Sequence, residues 1–249
     1  MILARRVEPE WLDELPPEDP RAVRARADLR RVNRLMGASS ILRRALDECL
    51  ADAPPSAAAA FEPRSSLRLV ELGAGDGTLA LAIARRRARR WPGAAITFLD
   101  RRPVVAAETL EALRALGWRA DVVAADAIEW LERTQPADGE RPVLFANLFV
   151  HHFAGEALER LLRGVAAHAQ AFACVEPRRS GIALAGSRLL GLVGANDVTR
   201  HDGVASVRAG FTDGELEAAW AKAAAGDWTL AERAAGLFSH VFRTRRTCA

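Results

Sequence analysis

From Leu67 onward, short runs of apolar residues alternate with stretches in which apolar positions return every three or four residues. That alternation is the pattern of strand–helix–strand units in a parallel sheet. It predicts strands at 67–72, 95–99, 120–124, 143–147 and 171–175, and helices near 77–90, 103–116, 127–133 and 154–168. The last helix places Leu158, Leu161, Leu162 and Val165 on one face. Further on, Thr212-Asp213-Gly214-Glu215 has the form of a capping box and predicts a helix to about Ala225. Two strands, 228–233 and 239–246, then form a hairpin that closes the sheet. Upstream, Asp19 and Pro20 open a helix whose apolar positions Ala22, Ala25, Leu29, Val32 and Met36 run to Gly37. A second helix from Ser40 carries Leu42, Ala45, Leu46 and Cys49 on one side, and the Pro- and Ala-rich 53–60 stretch is predicted to be a linker. The expected architecture is a doubly wound α/β domain over 61–249, with an N-terminal helical arm and linker over 1–60 and an insert after the fifth strand over 178–211.

Composition narrows the class. Of 249 residues half are apolar and 27% charged, which excludes disorder for the bulk of the chain and suits one α/β domain with appendages. The net charge is only +3, and Lys222 is the single lysine among the cationic side chains. With so much alanine, this reads as base bias in the gene and does not imply a nucleic-acid partner. Charge is segregated in the arm: residues 8–19 hold six acids, whereas 21–44 hold eight arginines and one acid. The basic run Arg85-Arg86-Arg87-Ala88-Arg89-Arg90 closes a predicted helix, where cations offset the helix dipole, and is expected to be a solvated end. Cys49, Cys174 and Cys248 fit neither a metal spacing nor an even disulfide framework, so plain thiols in a reducing, cytoplasmic setting are expected. No export signal is legible. The apolar tract 181–194 is interrupted by Arg188 and falls short of the roughly 20 residues of a spanning helix, so no stable membrane insertion is expected.

The chemistry concentrates where the first strand breaks into Glu71-Leu72-Gly73-Ala74-Gly75-Asp76-Gly77-Thr78. Glycines there permit positive φ and close approach of backbone to a ligand, and the next helix offers free N–H groups. The spacing is G-x-G-x-G, and Thr78 stands where a dinucleotide fingerprint wants its third glycine. Glu71 at the strand end suits an ammonium or other cationic centre, which a pyrophosphate does not offer. Asp100, closing the second strand, is placed to accept ribose hydroxyls, a role shared with dinucleotide sites. Asp126 and Ala127 follow the third strand, where a carboxylate or an amide meets an adenine edge.

These residues, at the ends of three successive strands, resemble the class I S-adenosylmethionine-dependent methyltransferases. The resemblance covers residues 65–180 and implies a Rossmann-like seven-stranded sheet with its last strand antiparallel. It implies S-adenosylmethionine as cofactor, with the loop of Gly73, Ala74, Gly75 and Gly77 beneath the methionine and ribose. Asp100 would lie on the ribose hydroxyls, Asp126 and Ala127 at the adenine, and Glu71, Arg101 and Asn147 elsewhere around the cofactor. The run Asn147-Leu148-Phe149-Val150-His151-His152-Phe153 resembles, more narrowly, the bacterial small-molecule methyltransferases of the ubiquinone and menaquinone biosynthesis type. His151 and His152 are the candidate general bases for a phenol or enol acceptor, with a packed structural pair as the alternative. No metal is expected, since no partner lies at ligand spacing. The run lacks the Asp/Asn-Pro-Pro-aromatic signature of enzymes that methylate base amino groups.

A further resemblance, to bacterial methyltransferases some of which are encoded beside type III polyketide synthases, rests on three segments. They are the 28–35 run of the arm, Glu176-Pro177-Arg178-Arg179 and Thr199-Arg200-His201-Asp202. It implies phenolic, pyrone or quinone-like acceptors, and the 181–194 tract either lines a pocket for an alkyl chain or packs as a core helix. Asn33, Arg34, Arg188, Asn196 and Arg200 are the polar candidates for that pocket, with surface or capping roles as the alternative. The expected function is methyl transfer to a small-molecule acceptor, with no nucleic-acid partner and the oligomeric state left open. The rivals are an NAD(P)-dependent oxidoreductase, a protein or RNA methyltransferase, and a non-catalytic cofactor-binding protein.

Overall fold

The computed structural model describes residues 3–51, 67–134 and 141–247; the predicted linker over 53–60 and Cys248 lie outside the described residues. Seven strands form one sheet in the order β3-β2-β1-β4-β5-β7-β6. These are β1 (Arg68–Leu72), β2 (Ala95–Asp100), β3 (Arg119–Ala124), β4 (Val143–Asn147), β5 (Ala171–Pro177), β6 (Trp228–Ala235) and β7 (Ser239–Arg246). The first five are parallel, and β7 runs antiparallel to both β5 and β6. The C-terminal hairpin therefore closes the sheet as its sequence pattern predicts, with β7 inserted between β5 and β6.

Helices cover both faces: α1 (Trp11–Glu14), α2 (Pro20–Leu35), α3 (Ala38–Ala51), α4 (Thr78–Arg87), α5 (Ala107–Ala115), α6 (Ala127–Arg133), α7 (Gly155–His168), α8 (Gly181–Arg188), α9 (Asp197–Ala209) and α10 (Glu215–Ala223). Because strand side chains alternate in direction, β1 and β4 send Leu69 and Phe145 into one core and Val70 and Leu144 into the other. The first core is roofed by α3, α4 and α5, the second by α6, α7 and α10. Burial on both faces explains why these strands read as nearly unbroken apolar runs. The arm divides in two. Its α3 puts Leu42, Ala45, Leu46 and Cys49 fully into the core, whereas α1 and α2 lie over the ends of the strands.

Several local forces set the boundaries. Asp19 accepts the Arg21 N–H at 2.7 Å ahead of Pro20, the predicted start of α2. Helix α5 begins at Ala107, later than the pattern predicts, because Pro103–Ala106 stays outside the helix: the Val104 N–H bonds the Gly75 carbonyl at 3.2 Å, and Val105 packs beneath Gly77. The capping box at 212–215 is half formed. Glu215 accepts the Thr212 N–H at 2.9 Å, but Thr212 does not cap α10; Glu232 of β6 reaches over to take the Leu216 and Glu217 N–H groups at 3.2 and 2.8 Å. Glu215 instead pairs with buried Arg179.

Among the described residues no helix is long and apolar enough to cross a membrane. The sheet order reverses at β1, whose neighbours are β2 and β4, and that crevice at the carboxyl ends of the strands is where such sheets bind ligands.

Candidate functional site

A cavity of about 240 Å3 opens at that crevice. Gly73, Gly75 and Gly77 turn the chain from β1 into α4 with φ of 67°, 53° and 70°, a region that side chains with a Cβ enter at a cost. The requirements at the first two differ. A Cβ on Gly73 would stand 2.2 Å from the Phe149 ring, whereas one on Gly75 would meet nothing within 4 Å and would project into open space. Asp100 at the end of β2 fixes the loop: its Oδ2 accepts the Gly75 N–H at 2.9 Å and its Oδ1 accepts the Arg102 N–H at 2.8 Å. One lone-pair position on each oxygen remains for a ligand. Glu71 at the end of β1 is buried, and burial pushes its carboxyl well above the usual carboxylate range, with Asp76 and Asp100 adding to the effect. Its Oε2 has no hydrogen-bond partner among the described residues, and neither has Oδ1 of Asn147 at the end of β4. Buried polar atoms left in this state are the exception in folded proteins, and both belong to residues lining the cavity.

Glu71, Gly73, Ala74, Gly75, Asp100, Arg101 and Asn147 thus come together around one cavity. Gly77 lies outside its lining, packed on Phe98 and Val105. Asp126 and Ala127 also lie outside it. One Asp126 oxygen caps α6 by accepting the Ile128 and Glu129 N–H groups at 2.9 and 3.1 Å, which leaves the other oxygen uncommitted. The roof comes from the arm: α2 contributes Arg26, Leu29, Arg30 and Asn33, with Arg30 paired to Asp76 at 2.8 Å and Asn33 3.5 Å from Asn147. Arg102 grips the carbonyls of Asp13 and Leu15 at 3.0 and 3.2 Å. Arg30 and Arg26 were legible only as members of an arginine-rich helix. Asn33, expected at the acceptor pocket, lines this cavity instead.

The two histidines occupy a short 3-10 turn, Val150–His152, that follows β4. Glu176 of β5 organises it, accepting the Val150 N–H at 2.9 Å and the His151 Nδ1 at 2.7 Å. On the other side of the ring, Nε2 lies 3.3 Å from Glu10 of the arm, and Glu10 also accepts from Ser206. Burial opposes charge on His151, but hydrogen bonds to Glu10 and Glu176 outweigh it and raise the imidazole to about 9. Burial likewise opposes charge on Glu10, and His151 holds it down to about 2. His152 moves the opposite way, lowered by burial and by its charged neighbour, with Asp13 3.5 Å from its Nδ1. At neutral pH the pair is one imidazolium and one neutral imidazole. Glu10, His151 and His152 also bring three ligand-type atoms within 4.8 Å of one another, a proximity that the ion pair between Glu10 and His151 accounts for.

A second cavity, about 350 Å3, lies beyond Leu148. It is bounded by Leu29, Val32 and Met36 of α2, Ala183 and Ser187 of α8, and Val207 of α9, and its polar end is formed by Glu10, Ser206 and Asp202. The 181–194 tract therefore lines a pocket. Leu148 borders both cavities and is the one non-glycine residue with positive φ among those described, at 52°. Its N–H is held by the Val175 carbonyl at 2.9 Å.

The polar motifs of arm and insert hold these walls together. Asp28 accepts the Asn196 N–H at 2.7 Å, and Asn196 caps α9 through the Thr199 N–H at 2.9 Å. Asp202 accepts the Trp11 and Leu12 N–H groups at 2.9 and 3.0 Å, and Trp11 stacks on His201 at 3.9 Å. Arg179 holds the Leu3 carbonyl at 2.7 Å. Arg34, Arg188 and Arg200 are exposed and do not line the second cavity.

No protein-family profile and no curated protein sequence matches the chain. Solved structures do. The plantazolicin methyltransferase BpumL, in complex with a triazolic desmethylPZN analog and SAH, aligns at a TM-score of 0.57 and 12% identity over 92% of either chain. The CurJ carbon methyltransferase aligns at 0.52 and 13% over 84% of this chain and 54% of its own. The small RNA methyltransferase HEN1 aligns at 0.50 and 14% over 75% of this chain and 24% of its own. At such identities the likeness is one of fold: this chain has the seven-stranded architecture of these methyltransferases.

Proposed function

We propose that the chain transfers a methyl group from S-adenosylmethionine to a small-molecule acceptor of the phenolic, pyrone or quinone-like kind that carries an apolar tail. The observation that carries this reading is the pair of adjoining cavities. One is lined by glycine backbone and unpartnered buried polar atoms, the other is apolar with a charged end, and Leu148 stands between them.

The first cavity suits the cofactor. Glu71 Oε2 and Asn147 Oδ1 are acceptors awaiting a donor, as an ammonium supplies, and Asp100 has lone pairs for ribose hydroxyls. Arg30, from the roof, faces that space with a cation that suits a carboxylate. Asp126, with one oxygen uncommitted, and the Ala127 N–H are the adenine candidates. Bound there, the sulfonium presents an activated methyl for in-line displacement, a reaction that asks the protein mainly for orientation and exclusion of water. A ligand ammonium would offset the burial that raises Glu71 and favour its carboxylate, whereas a pyrophosphate would add to the anionic neighbours Asp76 and Asp100, which counts against a nicotinamide cofactor.

In the second cavity the tail lies among Val32, Met36 and Ala183, and the reacting head points to Glu10. Neither histidine ring lines either cavity, so in this reading the acceptor head reaches past Glu10 and Asp13. His152, lowered toward its neutral form, takes the acceptor proton, and His151, its two ring nitrogens engaged by Glu10 and Glu176, stabilises the oxyanion by its charge and not by a hydrogen bond. The fold shared with BpumL, which is seen in complex with a triazolic desmethylPZN analog and SAH, is in keeping with a small-molecule acceptor.

Thermal unfolding with S-adenosylhomocysteine, NAD and NADP in parallel tests the reading. A ligand at 100 times its Kd adds ~2.7 kcal/mol, expected to raise the midpoint of a chain this long by roughly 5 to 11 °C. A shift with S-adenosylhomocysteine alone supports the proposal. A shift with NAD alone, or none with any of the three, overturns it.

A further inference from the structure

Ten large apolar side chains are exposed among the described residues, and seven of them fall on three segments: Leu35, then Ile182, Leu189, Leu192 and Val193, then Leu237 and Phe238. Those segments are the end of α2, α8 with the turn that follows it, and the β6–β7 turn. They meet in space. Leu35, Leu189, Val193 and Phe238 all border the second cavity, and Phe238 lies so close on α8 that a Cβ on Gly186 would stand 2.6 Å from its ring. Leu192 is 82% exposed and Leu35 77%, values that no contact among the described residues explains, since either side chain would gain by burial. Scattered exposed leucines are ordinary in a folded protein; a ring of them around the mouth of an apolar cavity is not.

We propose that this rim docks on the surface of a lipid bilayer bearing anionic headgroups, so that a chain-bearing acceptor passes from the membrane into the second cavity. Charge selects the occupant. The 177–195 stretch contains neither Asp nor Glu, and of its three arginines Arg178 and Arg188 remain for the surface, Arg179 being buried against Glu215. Arg34 next to Leu35, Arg188 and Arg200 are all exposed. Of the acids that flank the stretch, Glu176 is buried and Asp197 is paired with Arg21 at 2.7 Å. An apolar patch edged by arginine is the composition of a surface that sits in the headgroup layer, its leucines in the acyl boundary and its cations on phosphate. Such docking requires no spanning helix, and none is present among the described residues. The purpose assigned to it rests on the acceptor reading above; the docking itself does not.

The full chain, without cofactor or acceptor, is sedimented with phosphatidylcholine vesicles with and without phosphatidylglycerol. The variants are Leu192→Asp, the double variant Leu192→Asp/Leu237→Asp, and Val23→Asp as an exposed apolar site outside the three segments. None of these three positions borders either cavity, so the unfolding midpoint and its shift with S-adenosylhomocysteine are expected to stay at parent values. Binding to the phosphatidylglycerol vesicles is expected, weakened about tenfold or more in the double variant and unchanged in Val23→Asp. No binding to either vesicle overturns the proposal, and a retained S-adenosylhomocysteine shift in that case leaves the cofactor reading standing. Binding that the double variant leaves unchanged overturns it too, because arginine attraction alone then explains it. A dimer in vesicle-free solution that Leu192→Asp dissociates assigns the rim to a second copy of the chain and likewise overturns the proposal.

Discussion

The ion pair between His151 and Glu10 ties the stability of the fold to pH in a way that can be measured. His151 titrates at about 9 in the folded protein against 6.5 when free. At about 1.4 kcal/mol for each pH unit, the difference is worth about 3 kcal/mol. Glu10, held at about 2 against 4.5, reports the same contact from its other end, so the two figures are not added. A raised imidazole stabilises fully below its unfolded value and ceases to do so as pH rises through its folded one. The contribution is therefore present up to pH 6.5 and lost through about 9, while Glu10 holds its share above 4.5 and loses it as pH falls through about 2. Denaturant melts of the parent and of His151→Asn at pH 6.5 and pH 9 isolate the effect. Subtraction removes what both proteins share, including the buried Cys174 thiol, which burial raises. The parent is expected to lose about 2 to 3 kcal/mol relative to the variant over that interval. A difference that stays constant with pH would mean that the imidazole is neutral in the folded protein, and would sink the assignment of His151 as the charged member of the pair.

Other outcomes follow from the same geometry. Gly73→Ala combines a left-handed backbone with collision against Phe149 and is expected to cost about 2 to 5 kcal/mol of stability, whereas Gly75→Ala costs about 1 to 2 kcal/mol and still abolishes S-adenosylhomocysteine binding because its methyl enters the cavity. Equal stability losses in urea melts would refute that division of labour. Methyl transfer is expected to follow a bell in pH, rising as His152 loses its proton below its ordinary 6.5 and falling as His151 loses its own near 9. A rate–pH profile lacking the alkaline limb contradicts the role of His151, and one lacking the acid limb contradicts that of His152. Treatment with a chelator is expected to leave turnover unchanged; a loss restored by a divalent cation would convert the Glu10, His151 and His152 cluster into a metal site.

What was legible in the sequence is what neighbours along the chain decide. Asp19 and Pro20 sit beside the helix they start, and the apolar runs of β1, β4 and β5 record burial on both faces of the sheet. Glu71, Asp100 and Asn147 each end a strand, so reading the strands placed them at the crevice together. What was not legible depends on contacts across the fold. Thr212 and Glu215 have the spacing of a capping box, yet Glu232 from a later strand caps the helix and Arg179 draws Glu215 away. Glu10 looked like one acid in an acidic run, and its contact with His151 exists only because α1 and α9 bring the arm across the ends of the strands. The Arg178 to Asp202 motifs advertised a special region without saying that their polar groups stitch the arm to the insert.

Under the proposed methyl transfer, the roof over the first cavity is expected to set the tempo of turnover. A molecule seated beneath α2 is enclosed by the Arg30–Asp76 pair and by the grip of Arg102 on the Asp13 and Leu15 carbonyls, with Asp202 anchoring the same arm further out. Release of a spent cofactor requires those contacts to part as a group, whereas an acceptor entering through the second cavity meets only the Asp202 anchor among them. Exchange of the by-product is then expected to be slower than the chemistry, and the first round of reaction to run as a burst ahead of a slower steady rate. Shortening the grip by replacing Arg102 would quicken the steady rate while leaving the burst as it was.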